Sequence, residues 1–435
     1  MTRNSAWALA SSSVSAVAIF AETVILAHYL SPHDLGTFLL ILAYPNAVQQ
    51  LLDFRVRDGM TRYLPDFLTR DDKDAAVATI KLVWLLDVSV SAAAFLIVAA
   101  TAGVAAAALV NGSSSAGLMI VFAGGLFFGS LDSASGTALR ALERFALSFG
   151  VGAASALGRL ALVGGVAVLG GGITELVWAR AGAELLTTLT QGTASVIVLV
   201  GLLWDHRHSP LNKLKPYQRE IRRFLLSTNV AGMIRLASST LDTILVGILS
   251  GPSTVAIYQI AIRFGRVPVL AADALSSVVF PAFVREMVHG RVQRIRRIAL
   301  RSSMLLTAPA IPVGLALALN ADSVIGFLAG DAYRAAGPGF ALCLIGVVPF
   351  LVTYWATPLI LTADHAPALV VFTAVSTAVQ FVCIATLVPA FGASGAAAGT
   401  GALYLTGVLM QVGFVWRRKL LGGSGPAVTA PAAGG

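Results

Sequence analysis

Charged side chains fall inside stretches of this sequence that are otherwise apolar, at spacings that gather them on helix faces. Within residues 224–249, Arg235 and Asp242 stand seven apart; within 254–282, Arg263, Arg266 and Asp273 follow at offsets of three and seven. Both offsets return a side chain to the same helical face. If the two segments run antiparallel around Gly251, a rise of about 1.5 Å per residue puts Asp242 roughly 10 Å and Arg263 roughly 13 Å from their shared outer end, with Arg266 and Arg235 at roughly 18 and 21 Å. An Asp242–Arg263 pair above an Arg235/Arg266 layer is then geometrically possible. Glu22, in the first apolar segment, falls near the depth of Asp242, while Asp53, Arg55 and Arg57 close the second segment.

Guanidinium outnumbers carboxylate in this set. The planar fork of Arg donates paired hydrogen bonds to phosphate and stays charged, so the chemistry is recognition of an anion such as a pyrophosphate or a nucleotide sugar. On this reading Arg57, Arg235, Arg263 and Arg266 bind, and Glu22, Asp53, Asp242 and Asp273 pair with them or carry a coupling ion. The plainer alternative is that intramembrane charges pair within the bundle and hold it together, which suits Arg159, Arg180, Glu175 and Glu184 best. Lys81 would snorkel to the interface. No carboxylate pair, nucleophile–base set or metal-ligand spacing appears, and Cys343 and Cys383 sit in apolar runs as small hydrophobes. The reading is therefore of a protein that is not an enzyme and carries no cofactor.

Groups at such depths must be carried by helices that cross a bilayer. Hydrophobic residues make up 57% of the 435 positions and charged ones 12%, against about 25% charged in soluble domains. A spanning helix needs about 20 apolar residues. Twelve stretches supply them: 6–29, 36–56, 77–101, 116–138, 146–170, 175–203, 224–249, 254–282, 299–320, 339–362, 367–390 and 394–416. Lys and Arg collect in alternate gaps, in clusters such as Arg55–Lys73, Arg207–Arg223, Arg285–Arg301 and Arg417–Lys419, while the intervening gaps hold Arg334 alone. Cytoplasmic loops retain positive charge, so both termini are expected in the cytoplasm. The net charge of +9 belongs to these short loops beside anionic headgroups, and no nucleic-acid partner is implied.

The basic loop 204–223 divides the chain into lobes 1–203 and 224–420, and 421–435 reads as a disordered Gly/Ala/Pro tail. The halves look related. Glu22-Thr23, an aliphatic run, Ser31-Pro32, Gly36 and Phe38 match Asp242-Thr243, an aliphatic run, Ser250-Gly251-Pro252, Ala256 and Tyr258. With an even number of spans in each half, the repeats enter from the same side, with any substrate site between them. The expected fold is all-α and polytopic, about twelve helices in two six-helix lobes related by pseudo-two-fold symmetry around a central cavity. Pro268, Pro281, Pro309, Pro312, Pro349 and Pro358 are candidate bending points.

Four segments resemble the polysaccharide-exporter, or oligosaccharide-lipid flippase, branch of the multidrug/oligosaccharidyl-lipid/polysaccharide exporter superfamily: LSPHDLGTFLL with LLDFRVRDGMTRYLPDF, LDTILVGILSGPSTVAIYQIAIRF, VVFPAFVRE, and FGASGAAAGTGALYL. The resemblance implies a central cavity lined by spans one, two, seven and eight. It also implies movement of a polyprenyl-pyrophosphate-linked saccharide across the cytoplasmic (inner) membrane for O-antigen or exopolysaccharide synthesis, with a polysaccharide polymerase as protein partner. Glu22, Asp53, Arg57, Arg235, Asp242, Arg263 and Arg266 would face the cavity. Two positions depart from the pattern: Arg55 stands where the family usually has Gly, as does Ala256. Competing readings are a multidrug/cation antiporter, which wants an acidic or aromatic pocket, and a membrane glycan polymerase or ligase, which wants a catalytic surface.

Overall fold

In the computed structural model, residues 3–52, 56–110, 112, 114–130, 136, 138–139, 142, 144–217 and 240–421 are described. Among them the chain is all-α, without a strand. Met1–Ala256 and Ile257–Gly435 form two compact units.

The first unit contains α1 (Arg3–Tyr29), α2 (Pro32–Leu52), α3 (Val56–Thr69), α4 (Lys73–Val110), α5 (Ser114–Ser130), α6 (Phe145–Val168) and α7 (Ile173–Leu203). Then come two 3-10 turns, Trp204–His206 and Leu211–Tyr217. Helix α8 (Asp242–Gly265) begins in this unit and runs into the second, which continues with α9 (Val267–Val288), α10 (Val292–Leu319), α11 (Ala321–Ala329), α12 (Gly337–Thr353), α13 (Ala356–Thr362) and α14 (Ala366–Arg417). Among the described residues, seven helical segments are long and apolar enough to cross a membrane. Two of these, α8 and α14, are each broken by a glycine kink and bridge two expected spans.

The kinks come at Gly251 (φ 77°, ψ −179°) and Gly392 (φ 54°, ψ −130°). A Cβ is strained at such angles, so only glycine turns the chain there cheaply. The boundaries between spans seven and eight and between eleven and twelve thus lie where the sequence puts them. The matched motifs also meet in space: a Cβ on Gly36 would overlap the Pro252 carbonyl, and one on Gly247 would press on the Leu40 side chain. Ser31 caps α2, its hydroxyl accepting the Asp34 amide at 3.2 Å and donating to the Asp34 carboxylate at 2.7 Å, which satisfies one of the free amides of the helix start.

Three features differ from the span pattern. Span eight is interrupted at Arg266, between α8 and α9, and span ten divides at Tyr354–Trp355, between α12 and α13. Between spans two and three the chain forms α3 rather than an open loop. Its Met60, Tyr63, Leu64 and Phe67 are buried against Ala75, Ala76, Ala78 and Val83 of α4 and Leu214 of the following basic loop. The first part of that loop is therefore docked. Asp74 accepts hydrogen bonds from Ser209 (2.6 Å) and His206 (2.8 Å) and an ion pair from Lys213 (3.2 Å). Lys81 donates to the Ser209 carbonyl at 2.9 Å instead of reaching for headgroups. At about 1.5 Å per residue, α4 is far longer than a hydrocarbon core of about 30 Å, so its first turn, with Asp74, projects beyond the membrane. There the bonds from Ser209 and His206, with Lys213, hold the Asp74 carboxyl well below the usual carboxylate range.

Candidate functional site

Within the first unit, two pairs of charges carried by helices close on one another. Glu22 of α1 accepts from Arg159 of α6 at 3.0 Å, with both side chains largely buried. One turn apart on α7, Arg180 and Glu184 meet at 2.6 Å, and the Arg180 guanidinium also lies 5.8 Å from the Phe122 ring centre. Asp242 is buried at the start of α8, where its carboxylate accepts the amide and hydroxyl of its neighbour Thr243. Of the predicted site residues that fall in this unit, the pairing candidate Asp53 and the binding candidate Arg235 lie outside the described residues. Arg57 belongs to α3, its side chain outside what is described.

Arg263, Arg266 and Asp273 all belong to the second unit, on either side of a helix break. The local sequence Gly265-Arg266-Val267-Pro268 explains the break. Proline has no amide hydrogen and is at home in the first turn of a helix but not in the middle of one, and Pro268 occupies that first turn of α9. Gly265 gives the room, since a Cβ there would lie 2.8 Å from the Cys343 sulfur. Arg266 is the residue between the two helices. Its amide bonds the Ile262 carbonyl at 3.0 Å, and its own carbonyl accepts the Val269 amide at 2.9 Å.

The Arg266 side chain lies against an aromatic ring, with its guanidinium carbon 5.8 Å from the centre of Tyr404 on α14. Tyr404 is fixed in turn by Phe350 of α12, at 5.5 Å between ring centres. Among the described residues no carboxylate approaches Arg266 within ion-pair distance; Asp273, two turns along α9, feels its field but does not close on it. The ring engages the guanidinium face and the Tyr404 hydroxyl takes one hydrogen bond from its edge, which leaves the charge without a carboxylate. Among the described site residues, Arg266 is thus a cation held in place by a ring and a hydroxyl rather than by an acid.

Reasoning from ionisable residues missed the polar side chains near this point of the second unit. Tyr258 and Thr400 share a hydrogen bond at 2.9 Å, and the Gln380 amide reaches Thr400 at 3.5 Å. The Gln380 carbonyl oxygen and the Ser376 and Thr377 hydroxyls are buried without a hydrogen-bond partner among the described residues. A Gln in the middle of an apolar span was the available signal. Among the described residues no His, Cys, Asp and Glu cluster could hold a metal ion.

Comparison with known proteins places this architecture. The chain is similar in structure to a multidrug resistance MATE family transporter of the MOP superfamily in an inward-facing conformation, with TM-score 0.71, 12% identity and 94% of each chain covered. It is similarly close to the lipid II flippase MurJ in an inward closed conformation, with TM-score 0.72, 12% identity and coverage of 96% of this chain and 88% of that one. A MOP superfamily transporter from Pyrococcus furiosus, described as having a binding pocket of reverse polarity, matches with TM-score 0.60, 15% identity and coverage of 96% and 94%. At these identities the likeness is one of fold. No curated protein sequence matches the chain. The family model described as "Polysaccharide biosynthesis protein" matches residues 25–338, most of the sequence, and the chain belongs to that family.

Proposed function

We propose that this protein is a flippase that moves a polyprenyl-pyrophosphate-linked oligosaccharide across the cytoplasmic membrane for surface-polysaccharide synthesis. The observation that carries the reading is Arg266, a guanidinium at a helix break, seated on Tyr404 and free of carboxylate contact among the described residues. A pyrophosphate offers the oxygen pairs that such a fork binds, and family membership narrows the anions to intermediates of polysaccharide synthesis. Arg263, one turn before Arg266, and Asp273, two turns after it, complete the site in the second unit; Arg57, Arg235 and Asp53 would extend it. The structurally similar Pyrococcus furiosus transporter, whose reversed pocket polarity suggests a different function, likewise links pocket polarity to function in this fold.

On this reading, lobes 1–203 and 224–420 are joined by the basic segment 204–223 and both termini are cytoplasmic. Binding of the anionic headgroup favours one conformation of the cavity and its release resets it. A polysaccharide polymerase would consume the translocated product. The test is leaflet-resolved translocation of a polyprenyl-pyrophosphate saccharide in liposomes. The intact protein should accelerate transfer, and the Arg263→Ala/Arg266→Ala variant should not. Transfer at the intact rate by that variant removes the cationic site from the mechanism, and transfer of cationic drugs alone would favour the antiporter instead.

A further inference from the structure

A second cationic feature lies far along the second unit from Arg266 and has a different outlook. Helix α10 buries Ile295, Ala299 and Ser303 on one side. At 3.6 residues per turn, Arg294, Arg297 and Arg301 lie on the opposite side, and so do Met304, Leu315 and Leu319 further along. Met304, Leu315 and Leu319 are 65%, 59% and 76% exposed, and the three arginines are exposed as well. One outward stripe thus changes from guanidinium to hydrocarbon at Arg301.

The distances fit a bilayer. Arg301 to Leu319 spans about 27 Å of helix, close to the roughly 30 Å of a hydrocarbon core. If the apolar part of the stripe faces lipid tails, the turns bearing Arg294, Arg297 and Arg301 lie in the headgroup layer. Local acids leave most of this charge unspent. Glu286 reaches Arg294 at 3.8 Å and Arg291 at 3.9 Å, while Arg297 and Arg301 have no partner among the described residues. Retention of positive charge on one membrane side accounts for basic residues in this loop, but not for their alignment with the lipid-facing side of the next helix.

We propose that the Arg294/Arg297/Arg301 stripe is a binding site for anionic phospholipid headgroups of the leaflet around that end of α10. The occupant is a lipid rather than an acidic protein segment because the stripe continues without interruption into exposed Met304, Leu315 and Leu319, which acyl chains cover when a headgroup sits on the arginines. Each such basic residue adds to attraction by an anionic surface, and Arg binds the phosphate through paired donors. The inference does not depend on the transported cargo.

The full chain, purified in detergent, is titrated with dioleoylphosphatidylglycerol or dioleoylphosphatidylcholine, and bound lipid is read by native mass spectrometry. The intact protein should retain the glycerol lipid at least about tenfold better. Arg294→Gln/Arg297→Gln/Arg301→Gln should lose that preference. Equal loss of charge at the C-terminal basic cluster, Arg417→Gln/Arg418→Gln/Lys419→Gln, should keep it. Equal retention of the two lipids by the intact protein overturns the site, as does an undiminished preference in the stripe variant or an equal drop in the control. Should the triple variant fail to fold, Arg297→Gln is read instead, with about a threefold fall expected and no change overturning the proposal. An acidic peptide that displaces the lipid from the intact protein at equal concentration would reassign the stripe to a protein partner.

Discussion

Inside the helices of Met1–Ala256, Glu22 answers Arg159 and Glu184 answers Arg180, two pairs in which charge ends on its opposite. In Ile257–Gly435, Arg266 lies over the face of Tyr404 and bonds its hydroxyl, with no carboxylate at ion-pair distance among the described residues. Closed pairs of the first kind satisfy charge that lipid cannot solvate, and they leave nothing for a ligand to bind. The second arrangement steadies the cation without quenching it. A guanidinium count therefore overstates the site, because partner identity, rather than depth, separates the charges that hold the bundle together from those able to meet an anion.

The sharpest way to break the contrast is to open the Glu22–Arg159 pair. Glu22→Gln leaves Arg159 buried without its acid and should destabilise the fold by about 3–5 kcal/mol, read as a fall in melting temperature in nanodiscs. Adding Arg159→Met should restore most of it. If Glu22→Gln melts like the intact protein and abolishes transport instead, Glu22 serves coupling and the contrast fails. At the other pole, Arg266→Gln should melt normally yet weaken binding of a polyprenyl pyrophosphate by about tenfold to a hundredfold, the loss of one or two charge-assisted hydrogen bonds. Arg266→Lys should recover only part, since a point charge lacks the fork. A large loss of stability in Arg266→Gln would make Arg266 another structural charge.

Smaller effects sharpen the picture of how the chain places these groups. Gly251→Ala puts a Cβ at φ 77° and should cost about 1–3 kcal/mol of stability without changing ligand affinity once folded; an unchanged melting temperature would mean that the turn tolerates a side chain. The smallest effect concerns Asp74, whose carboxyl is held below its ordinary pKa by Ser209, His206 and Lys213. A lowered folded-state pKa stabilises docking of the loop fully above the ordinary carboxylate value and loses that contribution only as pH falls through the lowered one. Protection of residues 206–214 against hydrogen exchange should therefore show no Asp74-dependent change between pH 7 and 5, and Asp74→Asn should reduce it at both. Progressive loss over that interval in the intact protein, absent in Asp74→Asn, would contradict the assignment.

Much of the helical framework was legible in the sequence. Apolar length and the Gly251 and Pro252 signals located the boundary between spans seven and eight, and apolar length alone separated eleven from twelve around Gly392. The amphipathic α3 was not, because its apolar residues are spaced among Arg57, Asp58, Arg62 and Asp66 in what otherwise reads as a charged loop. Burial against α4 and Leu214 is what makes it a helix. The break at Arg266 was partly legible, since Pro268 was recognised as a bending point but not as the start of a new helix.

Composition and spacing by themselves determined that the chain crosses a membrane many times, roughly where it does so, and which charges are carried into the apolar layer. Hydrocarbon is a uniform solvent that demands about the same length and polarity of every span, so those properties are local and can be read residue by residue. Only the tertiary structure decided which of the charges are spent. Glu22 and Arg159 stand 137 positions apart, and the ring that holds Arg266 comes from a helix more than a hundred residues further along. Electrostatic neutralisation acts over a few ångströms of space regardless of chain separation, so no local pattern can record it.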